Sequence, residues 1–270
     1  MRKIAYLSMD VHVRNCVLGE MDGKGKFRGN RCFITCENDI IKALKAIKAR
    51  KKYLVIEAGP LSNWVAQVTS DHVTQVIICD PRENALIYKS SQKRDKVDTE
   101  KLCRLLRLGE LKEVYRPEND KRAIFKAAVQ HYLDLRDQVV ALKQKIKAMY
   151  RQWGVIDVFT DSVYSTSGRD KFLKQVNQRP IYLQLQRLYA VLDATAAMKQ
   201  SAEKSMTSLG RNYTEIKEFE KIPGMGPIGA HTYDAYIQTP YRFAKRSRLW
   251  KYCRLGVSDC RSDGKPLGYK

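Results

Sequence analysis

Acidic residues are scarce in this chain, with 29 Asp and Glu against 50 Lys and Arg in 270 residues. No apolar run approaches the length needed to cross a bilayer, so no membrane span is expected. Arg2 and Lys3 precede only a short apolar stretch that ends in Asp10, which does not make a secretory leader. The seven cysteines are odd in number and irregularly spaced, which suits reduced thiols better than a disulfide framework. Reduced thiols in a cytoplasmic protein are therefore expected. Cys32 and Cys36 lack a second ligand pair nearby and read as structural thiols rather than a zinc site.

What remains is a strongly basic chain of net charge +21, with a pI near 9.7 and 44% hydrophobic residues. A field of that sign attracts phosphate polymers, although ribosomal and membrane-surface proteins share it. The chain is long enough to bury a sizeable core and to divide into two or three units.

Against the shortage of acids, four carboxylates stand out by placement. Asp10 ends the first apolar run, Glu57 ends a later one, and Asp95 and Asp98 lie in Lys93-Arg94-Asp95-Lys96-Val97-Asp98. Residues 4–9, 16–21 and 27–34 read as three strands, with Asp22-Gly23-Lys24-Gly25 as the turn between the second and third. Helical spacing over 37–48, a short buried strand at 53–56, a helix at 62–68, a fifth strand at 73–79 and a helix opened by Pro81 follow. The expected fold is α/β, with the β-β-β-α-β-α-β-α order of a ribonuclease-H-like (RuvC-like) domain. In that order the first strand, the fourth strand and a late helix can bring their acids together.

Asp95 and Asp98 are three residues apart, on one face of a helix starting near Lys93 whose buried side is Leu102, Leu105, Leu106 and Leu108. Singly, each acid reads as a helix-end or strand-end residue facing water. Together the four suit Mg²⁺, with Mn²⁺ as a substitute, in phosphodiester chemistry. His12, two residues beyond Asp10, should share its side of the strand and reads as a solvated histidine rather than a phosphate contact.

From about Asn119 the pattern becomes helical. Phe125, Val129, Tyr132, Val139, Leu142, Ile146, Met149 and Trp153 recur at spacings of three, four or seven. Residues 154–169 interrupt this pattern, and a second stretch runs from about Ile181 to Leu209. An antiparallel coiled-coil hairpin is expected. A monomeric bundle and a dimerisation arm both fit, and the homo-oligomer is preferred.

Near the end, Ile222-Pro223-Gly224-Met225-Gly226-Pro227 resembles a helix-hairpin-helix turn in an otherwise mainly α segment. Gly224 and Gly226 permit a tight turn whose N–H groups, with the next helix N-terminus, can hold phosphate. A plain helix connector is the alternative. Residues 221–270 hold ten Lys and Arg against three Asp. Arg242, Lys245, Arg246, Arg248, Lys251 and Arg254 are interleaved with Tyr241, Phe243, Trp250 and Tyr252, which suits phosphate contact and base stacking. Arg261 and Lys265 extend this basic set.

Taken with Met9-Asp10-Val11-His12, Ile56-Glu57-Ala58-Gly59, Arg94-Asp95-Lys96-Val97-Asp98-Thr99, the glycine turn, and Leu255-Gly256-Val257 leading to Arg261-Ser262-Asp263-Gly264-Lys265, the chain resembles the RuvC-like DEDD transposases of bacterial insertion sequences. That family is related to the pilin-gene invertases. The resemblance implies a catalytic domain at 1–115, a coiled-coil arm at 116–215 and a C-terminal serine domain at 216–270. It makes Asp10, Glu57, Asp95 and Asp98 the metal-binding acids and Ser262 the nucleophile, although Ser-Asp-Gly alone would read as a turn. It also implies DNA as substrate and a structured bridge RNA as guide. Val257-Ser258 stands where relatives carry a Leu/Val-Pro pair, and Asp263 where they often carry Ser or Thr. Relatives also continue past the position of Lys270, so a shortened C-terminal domain is expected. A RuvC-like structure-selective nuclease that uses water, and a catalytically inactive nucleic-acid-binding remnant, are the alternatives.

Overall fold

A computed structural model describes residues 2–80, 95–116, 120–255, 259–262 and 265–269. The chain forms two compact units, Met1–Arg116 and Pro117–Lys270.

The first unit is α/β. Strands β1 (Arg2–Val11), β2 (Asn15–Asp22) and β3 (Phe27–Ile34) form an antiparallel meander, followed by α1 (Glu37–Ala46), β4 (Ala49–Glu57), α2 (Ser62–Ser70), β5 (Gln75–Cys79) and α3 (Asp95–Leu108). The sheet order is β3-β2-β1-β4-β5, with β1, β4 and β5 mutually parallel. The helix expected after Pro81 lies outside the described residues.

Alternation along the strands sorts the residues between two faces. Leu7, Met9, Leu18, Leu54 and Ile56 pack on Ile40 and Leu44 of α1 and Val65 of α2. On the other face, Val55 and Cys79 meet Leu102, Leu105 and Leu106 of α3, with Tyr6 and Tyr53 at their side. Gly19 explains how closely α3 approaches the sheet. A Cβ there would stand 2.7 Å from Ser8 Oγ and 2.9 Å from Thr99 Cβ, so a side chain would push the helix away.

The second unit is built on two long helices, α4 (Asp120–Gln152) and α6 (Arg179–Gly210). They are antiparallel: Ile146 and Tyr150, late in α4, share a core with Leu185 and Tyr189, early in α6, while Phe125 and Val129 meet Met206. The interval 154–169 is more ordered than its Gly, Ser and Thr content suggests. It holds a 3₁₀ turn (Asp161–Tyr164) and the start of α5 (Thr166–Leu173), where Ser165 Oγ caps the helix by accepting from Gly168 N at 3.2 Å.

Three short helices follow, α7 (Glu215–Phe219), α8 (Pro227–Ile237) and α9 (Arg246–Tyr252). Ile216, Ala230 and Ala235 join the core of Phe125 and Val129, so α7 and α8 fold onto the arm. The last described residues form an antiparallel hairpin, β6 (Asp259–Ser262) and β7 (Lys265–Tyr269), in a segment expected to be mainly helical. The turn residues Asp263-Gly264 lie outside the described residues. Asp-Gly between two short runs is itself a hairpin signal. Among the described residues, no helix is long and apolar enough to cross a membrane.

Candidate active site and nucleic-acid interface

Met9 of β1 pairs in parallel register with Ile56 of β4, so the next step along each strand sets Asp10 beside Glu57 at the strands' carboxyl ends. Both follow the period of Ser8 and Val55, on the face covered by α3. The third element is fixed by hydrogen bonds. Ser8 Oγ donates to the Thr99 carbonyl at 2.7 Å, and Cys103 Sγ lies 3.3 Å from Ser8 Oγ and 3.5 Å from the Tyr6 carbonyl. The order Tyr6, Ser8 along β1 therefore meets Cys103, Thr99 along α3, so the helix runs against the strand and its first turn lies toward Asp10.

Asp98 sits in that first turn, four residues before Leu102 and on the side that Leu102 and Leu105 press against the sheet. Its Oδ1 is buried and has no hydrogen-bond partner among the described residues. Asn30 Nδ2 donates to Thr99 Oγ1 at 3.0 Å and ties the same turn to β3. Asp10 Oδ2 lies 3.2 Å from His12 Nε2, although the imidazole is 61% exposed. Asp95 opens α3 one turn before Asp98, and its side chain lies outside the described residues.

By strand parity and helix phase, Asp10, Glu57 and Asp98 thus lie on one sheet face, at the end where a helix N-terminus points. Among the described residues no three His, Cys, Asp or Glu side chains are grouped tightly enough to hold a metal ion. The donors still suit a hard divalent cation, being carboxylate oxygens, and the orphaned Asp98 Oδ1 is an acceptor that a cation would satisfy.

Ser8, Gly19, Asn30 and Thr99, which seat the acidic helix, were not anticipated as site residues. A glycine inside an otherwise apolar strand signals close backbone approach, and Gly19 could have been read that way. Burial raises the Cys103 thiol to about 12, so beside Ser8 it acts as a neutral packing group.

The second unit carries the glycine turn. It joins α7 to α8, with Gly224 at φ +85°, a backbone state that disfavours other residues, and Gly226 extended as the N-cap before Pro227. Nothing lies within 4 Å of a Cβ built on either glycine, so the turn presents bare backbone to open space. The turn is braced from behind. Arg122 of α4 pairs with Asp234 of α8 and Glu215 of α7, and its guanidinium lies 3.8 Å from the Tyr213 ring centre. His231 Nδ1 is 2.8 Å from the Pro227 carbonyl, and its ring fills the space beside Gly210.

Beyond α8, Lys245, Arg246, Arg248 and Lys251 are exposed along α9, with Tyr241, Trp250 and Tyr252 also exposed among them. Arg242 differs from these four. Its guanidinium sits 4.6 Å from the Phe243 ring centre and 4.7 Å from that of Tyr252, where it orders the aromatic pair. Arg261 and Ser262 lie on β6, and Ser262 pairs with Lys265 of β7. The side chains of these three residues lie outside the described residues. Comparison with known proteins yields no family model that matches the chain and no curated protein similar to it.

Proposed function

We propose that the chain is a DNA recombinase or transposase, with a ribonuclease-H-like domain of the RuvC type in its first unit and a helix-hairpin-helix turn in its second. The observation that carries this reading is the parallel pairing of Met9 with Ile56, which sets Asp10 and Glu57 at neighbouring strand ends on the face covered by the helix that begins with Asp95 and Asp98. A five-stranded sheet of order β3-β2-β1-β4-β5 with an acidic helix across it suits a nuclease-type α/β fold.

Asp10, Glu57, Asp95 and Asp98 would hold Mg²⁺ or Mn²⁺, which when bound stabilises charge on the phosphate oxygens. Ser8, Gly19 and Thr99 hold the first turn of α3 in place, so the acids are oriented before substrate arrives. Ser262 Oγ attacks the DNA phosphorus and loses its proton to solvent as the new O–P bond forms. The phosphodiester bond to the departing strand breaks, and that strand's oxygen leaves as a hydroxyl after protonation. Attack by another strand's hydroxyl on the phosphoserine reverses these steps and rejoins DNA without a further energy source. The exposed cations and aromatic rings of α9, with the bare turn at Gly224 and Gly226, supply phosphate and base contacts for DNA and for a structured guide RNA. The homo-oligomer supplies the several active sites that strand exchange needs.

The test is strand cleavage and covalent adduct formation on DNA carrying the gene's own flanks, with Asp10→Ala and Ser262→Ala assayed separately. Both should abolish cleavage, and the wild type should leave a protein–DNA adduct resistant to denaturant. Cleavage lost in D10A but retained in S262A would replace this reading by a water-using nuclease. Nucleic-acid binding without cleavage in any form would leave a binding protein.

A further inference from the structure

The far end of the helical arm carries a patch that the proposed chemistry does not use. Between α4 and α5, Val155 and Val158 turn inward to the core, while Ile156 and Phe159 turn outward and are 68% and 70% exposed. Trp153 beside them is also exposed. Large apolar side chains held in water on a short, ordered connection, outside the core they border, mark a contact surface.

The cations beside this patch select the partner. Lys143, Lys147 and Arg151 follow one another at i, i+4 and i+8 on α4, about 6 Å apart along the helix. Arg151 lies 5.8 Å from the Phe159 ring centre, Lys147 Nζ donates to the Phe159 carbonyl at 3.1 Å, and Lys143 and Lys147 lie over the Tyr164 ring at 4.6 and 5.2 Å. The anion facing them is Asp161, whose carboxylate is 81% exposed and stands 3.9 Å from Lys143 and 3.6 Å from Lys147. Lys143 and Lys147 are only partly exposed, but the pairs are long and their carboxylate faces solvent, so they contribute little stability and an arriving phosphate can take the place of Asp161. Asp157 is the other acid on the connection and is exposed.

We infer that this end of the arm is a second nucleic-acid contact, which takes an unpaired stretch of strand: its phosphates replace Asp161 at Lys143 and Lys147, and its bases stack on Phe159 and Trp153. A duplex hides its base faces and could use only the cations, whereas the exposed rings reward a single strand. The inference rests on the reading above that the chain handles nucleic acid, and is independent of the cleavage chemistry.

The experiment is fluorescence anisotropy on the full chain with labelled oligouridine, oligothymidine and a duplex of equal length, across a salt series. Phe159→Ala with Trp153→Ala should weaken both single strands about thirtyfold or more, the scale of two lost stacking contacts, and leave the duplex unchanged. Lys143→Ala with Lys147→Ala should weaken the single strands and flatten their salt dependence. Asp161→Asn should tighten them several-fold. Phe159 and Trp153 are outside the buried core, and an unchanged melting temperature serves as the folding check. Unchanged single-strand affinity in both double variants, with the wild type binding, would overturn the inference and leave the proposed function standing. A wild type that binds none of the probes would overturn both. Binding to phosphatidylserine vesicles that is lost in the Phe159 variant, with oligonucleotide binding intact, would assign the patch to a lipid surface instead.

Discussion

Ser8 Oγ donates to the Thr99 carbonyl over 2.7 Å, a buried bond between residues 91 positions apart that seats the first turn of α3 on β1. Gly19 on β2 clears the space for that turn. Ser8→Ala should cost about 1 kcal/mol, the worth of one ordinary hydrogen bond. Gly19→Ala should cost about 1–3 kcal/mol, the range for an overpacked site. In the double variant the glycine penalty should persist, because Thr99 Cβ at 2.9 Å still obstructs the added methyl when the Ser8 hydroxyl is gone. Urea denaturation of the four proteins checks this. A Gly19→Ala penalty that vanishes in the Ser8→Ala background would place the whole contact in the hydroxyl.

The acids on the same face should couple stability to divalent cation. A cation that binds only the folded state raises stability by about 2.7 kcal/mol at a hundred times its dissociation constant. The wild type should therefore melt higher in millimolar Mg²⁺ or Mn²⁺ and return to its starting value with chelator. Asp10→Asn and Asp98→Asn should each lose most of this shift. Because Asp98 Oδ1 is buried without a hydrogen-bond partner among the described residues, Asp98→Asn should also melt no lower than the wild type in chelator. A melting temperature indifferent to both cations would count against a metal site here.

The cysteines offer a check that needs no assay of function. Cys103 is fully buried with its thiol at about 12, whereas Cys32 is exposed on the edge strand β3. At pH 8 a thiol held at about 12 is almost wholly protonated and so a poor nucleophile. A maleimide should label Cys32 rapidly in the native protein and reach Cys103 only on unfolding, as peptide mapping would show. Early labelling of Cys103 would mean that α3 lifts from the sheet.

How much of this was legible beforehand follows from the range of the interactions. The five strands and the acids at their ends could be read because alternation and helical spacing are local patterns, and Leu102 and Leu105 set the phase of Asp98. The start of α5 was hidden because Ser165-Thr166-Ser167-Gly168 has the composition of a breaker, while in the structure Ser165 works as a cap. Gly19 inside an apolar strand hinted at a close approach, but its partners Ser8 and Thr99 and the ion-pair hub at Arg122 were not visible. These residues are brought together only by the tertiary fold, and nothing near Arg122 in sequence announces Glu215 or Asp234.

That hub gives the pH prediction. Asp234 is 3% exposed, and burial raises its carboxyl, partly offset by the Arg122 guanidinium that pairs with it. Arg122→Met removes the offset and leaves a buried carboxylate without this cation, a change of the kind that costs about 3–5 kcal/mol. The cost should depend on pH. A carboxyl whose folded value lies above its unfolded one binds more protons in the folded state between the two values, so stability falls as pH rises through that window. Arg122→Met should therefore be least destabilised in mild acid and most destabilised above neutrality, relative to the wild type. Adding Asp234→Asn to Arg122→Met should restore much of the loss at high pH and flatten the dependence. Urea midpoints for the three proteins across the range measure this directly. A penalty equal at both ends would assign the effect of Arg122 to its packing on Tyr213 and its pairing with the half-exposed Glu215, rather than to the charge buried on Asp234.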